Sequence, residues 1–180
     1  MGTKCKFDKG IQVFSGEPQM VSAGGNVLTN QQIANSTDET VLLTQTVYAN
    51  VLNATSMNFR IFLAGEISSD GSGDITFTLR YGTTDILELV TVSLANEDDK
   101  SFKIEFTGHI LTAGASGKIV ANAFGTFFQG TPLYFASDTA NTGASVDLTA
   151  DGSLNVTGKW DGANADSDVI VTHGWIELYN

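Results

Sequence analysis

Very few side chains in this sequence could do chemistry. Its 180 residues include two histidines, His109 and His173, and a single cysteine, Cys5. A zinc site needs three or four such ligands brought together, and these three are widely separated with no metal-like spacing. A nucleophilic triad would need a serine or cysteine activated by histidine, and no Gly-x-Ser-x-Gly elbow presents one. Paired carboxylates for glycoside cleavage could come from Glu66, Glu88 and Glu105, yet nothing in their spacing brings two of them into a cleft. Two acidic loops, 70–74 and 161–168, offer oxygen ligands of the kind calcium takes. Neither has the spacing or closing glutamate of an EF-hand, and Asx residues in turns ordinarily serve backbone hydrogen bonds. No phosphate-binding Gly-x-x-x-x-Gly-Lys loop occurs. The expectation is a protein without catalytic residues, cofactor or metal.

Charge narrows the partners. There are 9 Lys plus Arg against 20 Asp plus Glu, a formal net charge of −11, which argues against a nucleic-acid backbone as ligand. The balance is uneven along the chain. Lys4, Lys6 and Lys9 crowd the first nine residues, where Asp8 is the one acid, so a basic arm precedes an acidic body. Charged residues make up 16%, below the roughly 25% usual for soluble domains, and Thr (21), Ser (14) and Gly (19) take up much of the difference. Two uncharged runs, 40–59 and 119–137, approach spanning length but are too rich in Thr, Asn and Gln for lipid, so no membrane segment is expected. The N-terminus lacks the apolar run of a signal peptide, and Cys5 can close no intrachain disulfide. Sequons at Asn35, Asn53 and Asn155 are the chance matches a Thr-rich chain throws up.

The elements that must position any site are strands. From Thr40 onward apolar residues recur with period two, giving expected strands at 40–51, 58–67, 74–81, 85–94, 101–111, 117–128, 145–149, 153–160 and 168–179. In 101–111, Phe102, Ile104, Phe106 and Ile110 alternate with Lys103, Glu105, Thr107 and His109. Turn chemistry falls between the strands, at 69–74, 96–100, 113–117 and 150–153. The pattern before residue 40 is weak: one short strand at 11–14, a turn at 24–26, and room for a helical turn within 30–38. Eight to ten strands without helices predict an all-β fold, an antiparallel two-sheet sandwich of jelly-roll type. The expected division is an extended N-terminal arm over 1–39 and a sandwich domain over 40–180.

Two strands have apolar residues on both faces. In 117–128, Ile119, Ala121, Ala123 and Phe127 oppose Val120, Phe124 and Phe128; in 40–51, Val41, Leu43, Val47 and Val51 oppose Leu42 and Tyr48. A sandwich strand covers one face with its own core, so Leu42, Tyr48, Val120, Phe124 and Phe128 are candidates for a subunit interface, with a covering loop of the same chain as the alternative.

The order of Asn58-Phe-Arg-Ile-Phe-Leu-Ala-Gly65, Thr76-Phe-Thr-Leu-Arg-Tyr-Gly82 and Phe102-Lys-Ile-Glu-Phe-Thr-Gly108 resembles a group of small all-β structural proteins of tailed-bacteriophage virions. In that group a strand of the type F-R-I-x-x-x-G precedes T-F-x-L-R-Y-G, and the endings Leu154-Asn-Val-Thr-Gly-Lys-Trp160 and Val169-Ile-Val-Thr-His-Gly-Trp-Ile-Glu-Leu178 fit as well. The likeness covers roughly residues 40–180 and rests on strand patterns. It implies a virion component, assembled in the host cytoplasm, that decorates or cements a capsid as a homo-oligomer, often a trimer. Its partners would be further copies of itself and the major capsid protein or another virion protein. Lys4, Lys6, Lys9, Ile11 and Phe14 would then form the attachment segment. The alternative is a tail- or fibre-associated module of the same fold that recognises a receptor or glycan, with Trp160, Trp175, Tyr134 or Tyr179 as stacking platforms. Of these, Trp175 is expected to pack in or against the core, and Trp160, just before the acidic turn, to stand at an exposed rim.

Overall fold

A computed structural model describes residues 20–24, 31–34, 36–71, 73–91, 94, 96–128 and 133–179, with the side chains at 20–24, 31, 97 and 133–142 outside that description. The described residues form eleven strands and no helix: β1 (Met20–Gly24), β2 (Gln31–Ala34), β3 (Thr40–Val47), β4 (Asn58–Asp70), β5 (Ile75–Tyr81), β6 (Thr84–Val90), β7 (Asn96–Thr112), β8 (Gly117–Phe128), β9 (Leu133–Val146), β10 (Gly152–Trp160) and β11 (Asp168–Tyr179). The larger sheet runs β1-β11-β4-β7-β8-β9, with β2 also paired to β11, and the smaller runs β3-β10-β5-β6. All pairings are antiparallel. Between β3 and β7, and again between β9 and β11, the chain repeatedly crosses from sheet to sheet. This is the expected all-β sandwich of jelly-roll type.

Alternation explains which side chains fill the space between the sheets. On β7, Phe102, Ile104, Phe106 and Ile110 are all buried while Lys103 and His109 are exposed. Phe77 on the smaller sheet reaches Phe102 and Phe127 on the larger one, with ring centroids 5.9 and 6.3 Å away and the latter two 6.1 Å apart. Each such ring contributes about 1.5–3 kcal/mol through burial. The register leaves room for them by placing glycine where rings lie: a Cβ on Gly108 would fall inside the ring of Phe59.

Several expectations change. The segment allowed a helical turn holds β2 instead, and β1 and β2 both pair with β11, so the sheet begins before residue 40 and takes in part of the segment assigned to the arm. The 11–14 strand lies outside the described residues, as do Lys4, Lys6, Lys9, Ile11 and Phe14. Strand 40–51 stops at Val47, and Asn50 turns the chain at φ 65°. The turn expected at 96–100 is absorbed into β7 as a bulge. Asp99 takes φ 50° and donates its N–H to Ser68 Oγ at 3.1 Å, while the register skips from Ile67↔Lys100 to Ser69↔Glu97. Turn-prone residues serve a bulge as well as a hairpin, because both need the same left-handed backbone. Finally, β9 is far longer than the 145–149 segment expected, its run from Asp138 to Gly143 having no apolar alternation to reveal it.

Candidate functional site

The outer face of the larger sheet carries a cluster of aromatic and charged side chains. On β11, Val169 and Val171 point into the core, and continuing that alternation would send Trp175 inward too. The register shifts between Val171 and His173, leaving Thr172 without an opposite residue, so Gly174, Ile176 and Leu178 become the buried set. Trp175 therefore stands on the outer face with Glu177 and Tyr179. Of the expectation that it packs in or against the core, the first half is corrected by this single bulge.

Directly opposite Trp175 on β4 is Phe62, its ring stacked with a centroid separation of 5.8 Å and an interplanar angle of 18°. The guanidinium of Arg60, one outward position along β4, lies 5.4 Å from the Trp175 ring centre. Arg60 Nη2 also donates to Glu105 Oε2 on β7 at 2.5 Å, their side chains being 44% and 33% exposed. The hydrogen bond Arg60 donates to Glu105, then the Glu105 charge, raise the Arg60 pKa above its ordinary value against an opposing cost of burial, with lesser contributions from Glu177 and Tyr179. Register extends the row further, since Glu105 is opposite both Phe62 and Phe124. Trp175, Phe62, Glu105 and Phe124 thus cross four neighbouring strands, a span of about 14 Å. The adjacent row is Glu177, Arg60, Thr107 and Asn122. Aromatic surface and hydrogen-bonding groups alternate over this area.

Other candidates fall elsewhere. Trp160 is 1% exposed and sits beneath Gly73, so it offers no rim; it shares the inward parity of Leu154 and Val156, a signal already present in the sequence. Its Nε1 and Thr126 Oγ1 are the buried side-chain polar atoms without a hydrogen bond among the described residues. Tyr179 is half-buried on the outer face, and the side chain of Tyr134 is outside the description. The interface set divides. Val120, Phe124 and Phe128 share the outer face of β8, with Phe124 and Phe128 47% and 48% exposed. Tyr48, half-buried, follows β3 at the edge of the smaller sheet. Leu42 is corrected: β10 pairs Val156 with Leu43 and Thr157 with Val41, so Leu42 is an extra residue and joins Leu43 in the core, while Val41 points out.

The two acidic loops meet. Asp74 N–H donates to Asp161 Oδ1 at 3.0 Å, Asp161 N–H to Asp74 O at 3.0 Å, and Asn164 Nδ2 to Asp70 Oδ2. Their oxygens tie the loops together, and among the described residues no group of three His, Cys, Asp or Glu could hold a metal ion. Glu66 and Glu105 both face outward from the larger sheet, but their positions are four residues apart along it, about 13 Å. That exceeds the separation at which paired carboxylates cleave glycosides. Glu88 belongs to the smaller sheet. His109 and His173 are exposed, the latter 2.9 Å from Thr172 Oγ1. The amides of Asn53 and Asn155 are engaged as donors, to Asn50 Oδ1 and to Gly82 O with Ser153 Oγ respectively.

No family model matches the sequence. No curated protein matches it either. Among solved structures, the chain is similar to the CBM2 module of the evolved Dit of Lactobacillus casei BL23 phage J-1, at 13% identity and a TM-score of 0.36, over 93% of this chain and 81% of that one. It is also similar to winged bean acidic lectin complexed with methyl-α-D-galactose, at 9% identity and a TM-score of 0.35, over 94% and 95% of the two chains. Likenesses this weak transfer neither fold detail nor function.

Proposed function

We propose that this chain is a non-enzymatic binding module of a tailed-phage virion that holds a glycan on the outer face of its larger sheet. The observation that carries the binding site is Trp175, turned outward by a bulge, stacked on Phe62 and flanked by an Arg60 that Glu105 fixes in place. A sugar ring presents an apolar C–H face and a rim of hydroxyls. Half-exposed aromatic rings suit the first, and an immobilised guanidinium–carboxylate pair, offering donors and acceptors side by side, suits the second. Placement in a virion rests on the strand motifs of residues 58–65, 76–82 and 102–108. Binding of the purified protein to cell-wall and cell-surface glycans of candidate hosts tests the reading, with Trp175→Ala expected to abolish it. Equal binding by the variant would rule this face out.

A second reading, oligomeric decoration of a capsid, is favoured by the outer face of β8, where Val120, Phe124 and Phe128 lie on one side of the strand. In that reading three copies associate through this face and Lys4, Lys6, Lys9, Ile11 and Phe14 attach to capsid protein. Because β1 and β2 belong to the sheet, the arm is tested by deleting residues 1–19 and measuring particle binding. Sedimentation of Phe124→Ser/Phe128→Ser against the parent tests the oligomer; a parent that sediments as a monomer ends this reading.

A further inference from the structure

We infer that the ligand of the Trp175 face is an uncharged saccharide, and that the Arg60–Glu105 pair excludes acidic ones; the inference rests on the glycan reading above. The outward-facing charges at the described positions of β4, β7 and β11 around Trp175 are Glu66, Glu105 and Glu177 against Arg60 and Lys103. Arg60, which would otherwise be the natural partner of a sugar carboxylate, already has one. Its Nη2 is 2.5 Å from Glu105 Oε2, so an acidic sugar taking the remaining donors would set its carboxylate beside that of Glu105. Glu177, directly opposite Arg60 on β11, adds a further negative charge. The chain's net charge of −11 acts in the same sense.

A cation–π contact from a ligand to Trp175 meets a competitor already in the protein. The electron-rich face of Trp175 that would attract a ligand cation is attended by the Arg60 guanidinium 5.4 Å from the ring centre. What the site retains for a neutral ligand is considerable. Arg60 has five N–H donors, of which the ion pair employs one, and Glu105 keeps an oxygen with free acceptor capacity. Thr107 and Asn122 continue the same row across the sheet. The ion pair thus works as a specificity element: it holds the guanidinium still for hydroxyl groups while cancelling the charge that would draw carboxylates.

Isothermal titration of the full chain with neutral hexose and N-acetylhexosamine oligosaccharides, and with uronic-acid oligosaccharides of equal length, tests this. A neutral oligosaccharide should bind with an affinity unchanged between about 0.05 and 0.5 M salt. Its uronic-acid counterpart should bind at least about fivefold more weakly at the lower salt. Glu105→Gln keeps the shape of the pair and removes its negative charge. It should weaken the neutral ligand by up to about tenfold and raise affinity for the acidic one, reversing or closing the gap. Circular dichroism of the variant checks that the sheet is intact. Tighter binding of the acidic oligosaccharide by the parent protein, or a Glu105→Gln variant with both affinities unchanged, overturns the inference and leaves the glycan reading standing. Failure of every oligosaccharide to bind overturns both.

Discussion

The Arg60 guanidinium and the Trp175 ring lie 5.4 Å apart on the outer face of the larger sheet, whereas the chain's other tryptophan, Trp160, is 1% exposed. The two indoles should therefore separate cleanly in solution. Trp175→Phe should remove most of the acrylamide-quenchable fluorescence and leave stability nearly unchanged, as outer-face substitutions usually do within about 0.5 kcal/mol. Trp160→Phe should leave the quenchable fraction in place and lower stability by about 1–3 kcal/mol through the cavity it opens. A quenchable Trp160 would contradict the burial on which the site assignment depends.

Two bulges place one extra residue each, with opposite consequences. Thr172 is extra on β11 and half-buried, and removing it leaves Val171 opposite Gly65 and His173 opposite Ala64, so the inward set of Val169, Val171, Gly174, Ile176 and Leu178 is preserved. Leu42 is extra on β3 but completely buried. Deleting Thr172 should cost less than about 2 kcal/mol and keep Trp175 quenchable, while deleting Leu42 should cost about 2–5 kcal/mol, the penalty of losing a core leucine. Chemical denaturation of the two deletions side by side measures the difference. Loss of cooperative folding on deleting Thr172 would show that the bulge itself, and not the register it joins, holds β11.

These bulges also mark where the sequence stops being legible. Strict period-two alternation locates β4, β5, β7, β8, β10 and β11, because each buries one face against the opposing sheet and a mixed pattern would cost the core its side chains. A bulge adds one residue without changing composition, so alternation alone places Trp175 and Leu42 on the wrong faces. Trp160 was a different kind of miss. Its parity with Leu154 and Val156 was readable, but its place beside the acidic turn suggested exposure. The pairing of Arg60 with Glu105 needed the β4–β7 register, which alternation alone does not fix.

The inter-sheet contact of Phe77 with Phe102 and Phe127 should dominate the stability of the sandwich. All three rings are at most 2% exposed, and Phe77 of the smaller sheet reaches both Phe102 and Phe127 of the larger one. Phe77→Ala should destabilise by about 3–5 kcal/mol, and Phe77→Leu by less, since most of the volume remains. Urea denaturation checks both. The double substitution Phe77→Ala/Phe127→Ala should cost less than the sum of its parts, because the second ring has already lost its partner.

Alkaline pH should weaken the fold through Tyr81. Its side chain closes the smaller sheet beside Gly152, and burial, reinforced by the nearby carboxylates of Asp147 and Asp151, raises its pKa above the ordinary tyrosine value of about 10. The folded state therefore holds the phenol proton to higher pH than the unfolded state does. It follows that this contribution is fully present below about pH 10 and is lost as pH rises from there through the folded-state pKa, because unfolding then releases a proton. Tyr81→Phe removes the titrating group while keeping the ring. The variant should lose stability less steeply than the parent between about pH 9 and 11, and the late-titrating phenolate should vanish from its ultraviolet absorbance titration. Parallel stability curves for the two proteins across that range would show that Tyr81 ionises as freely folded as unfolded, and that its burial at the end of β5 is not maintained in solution.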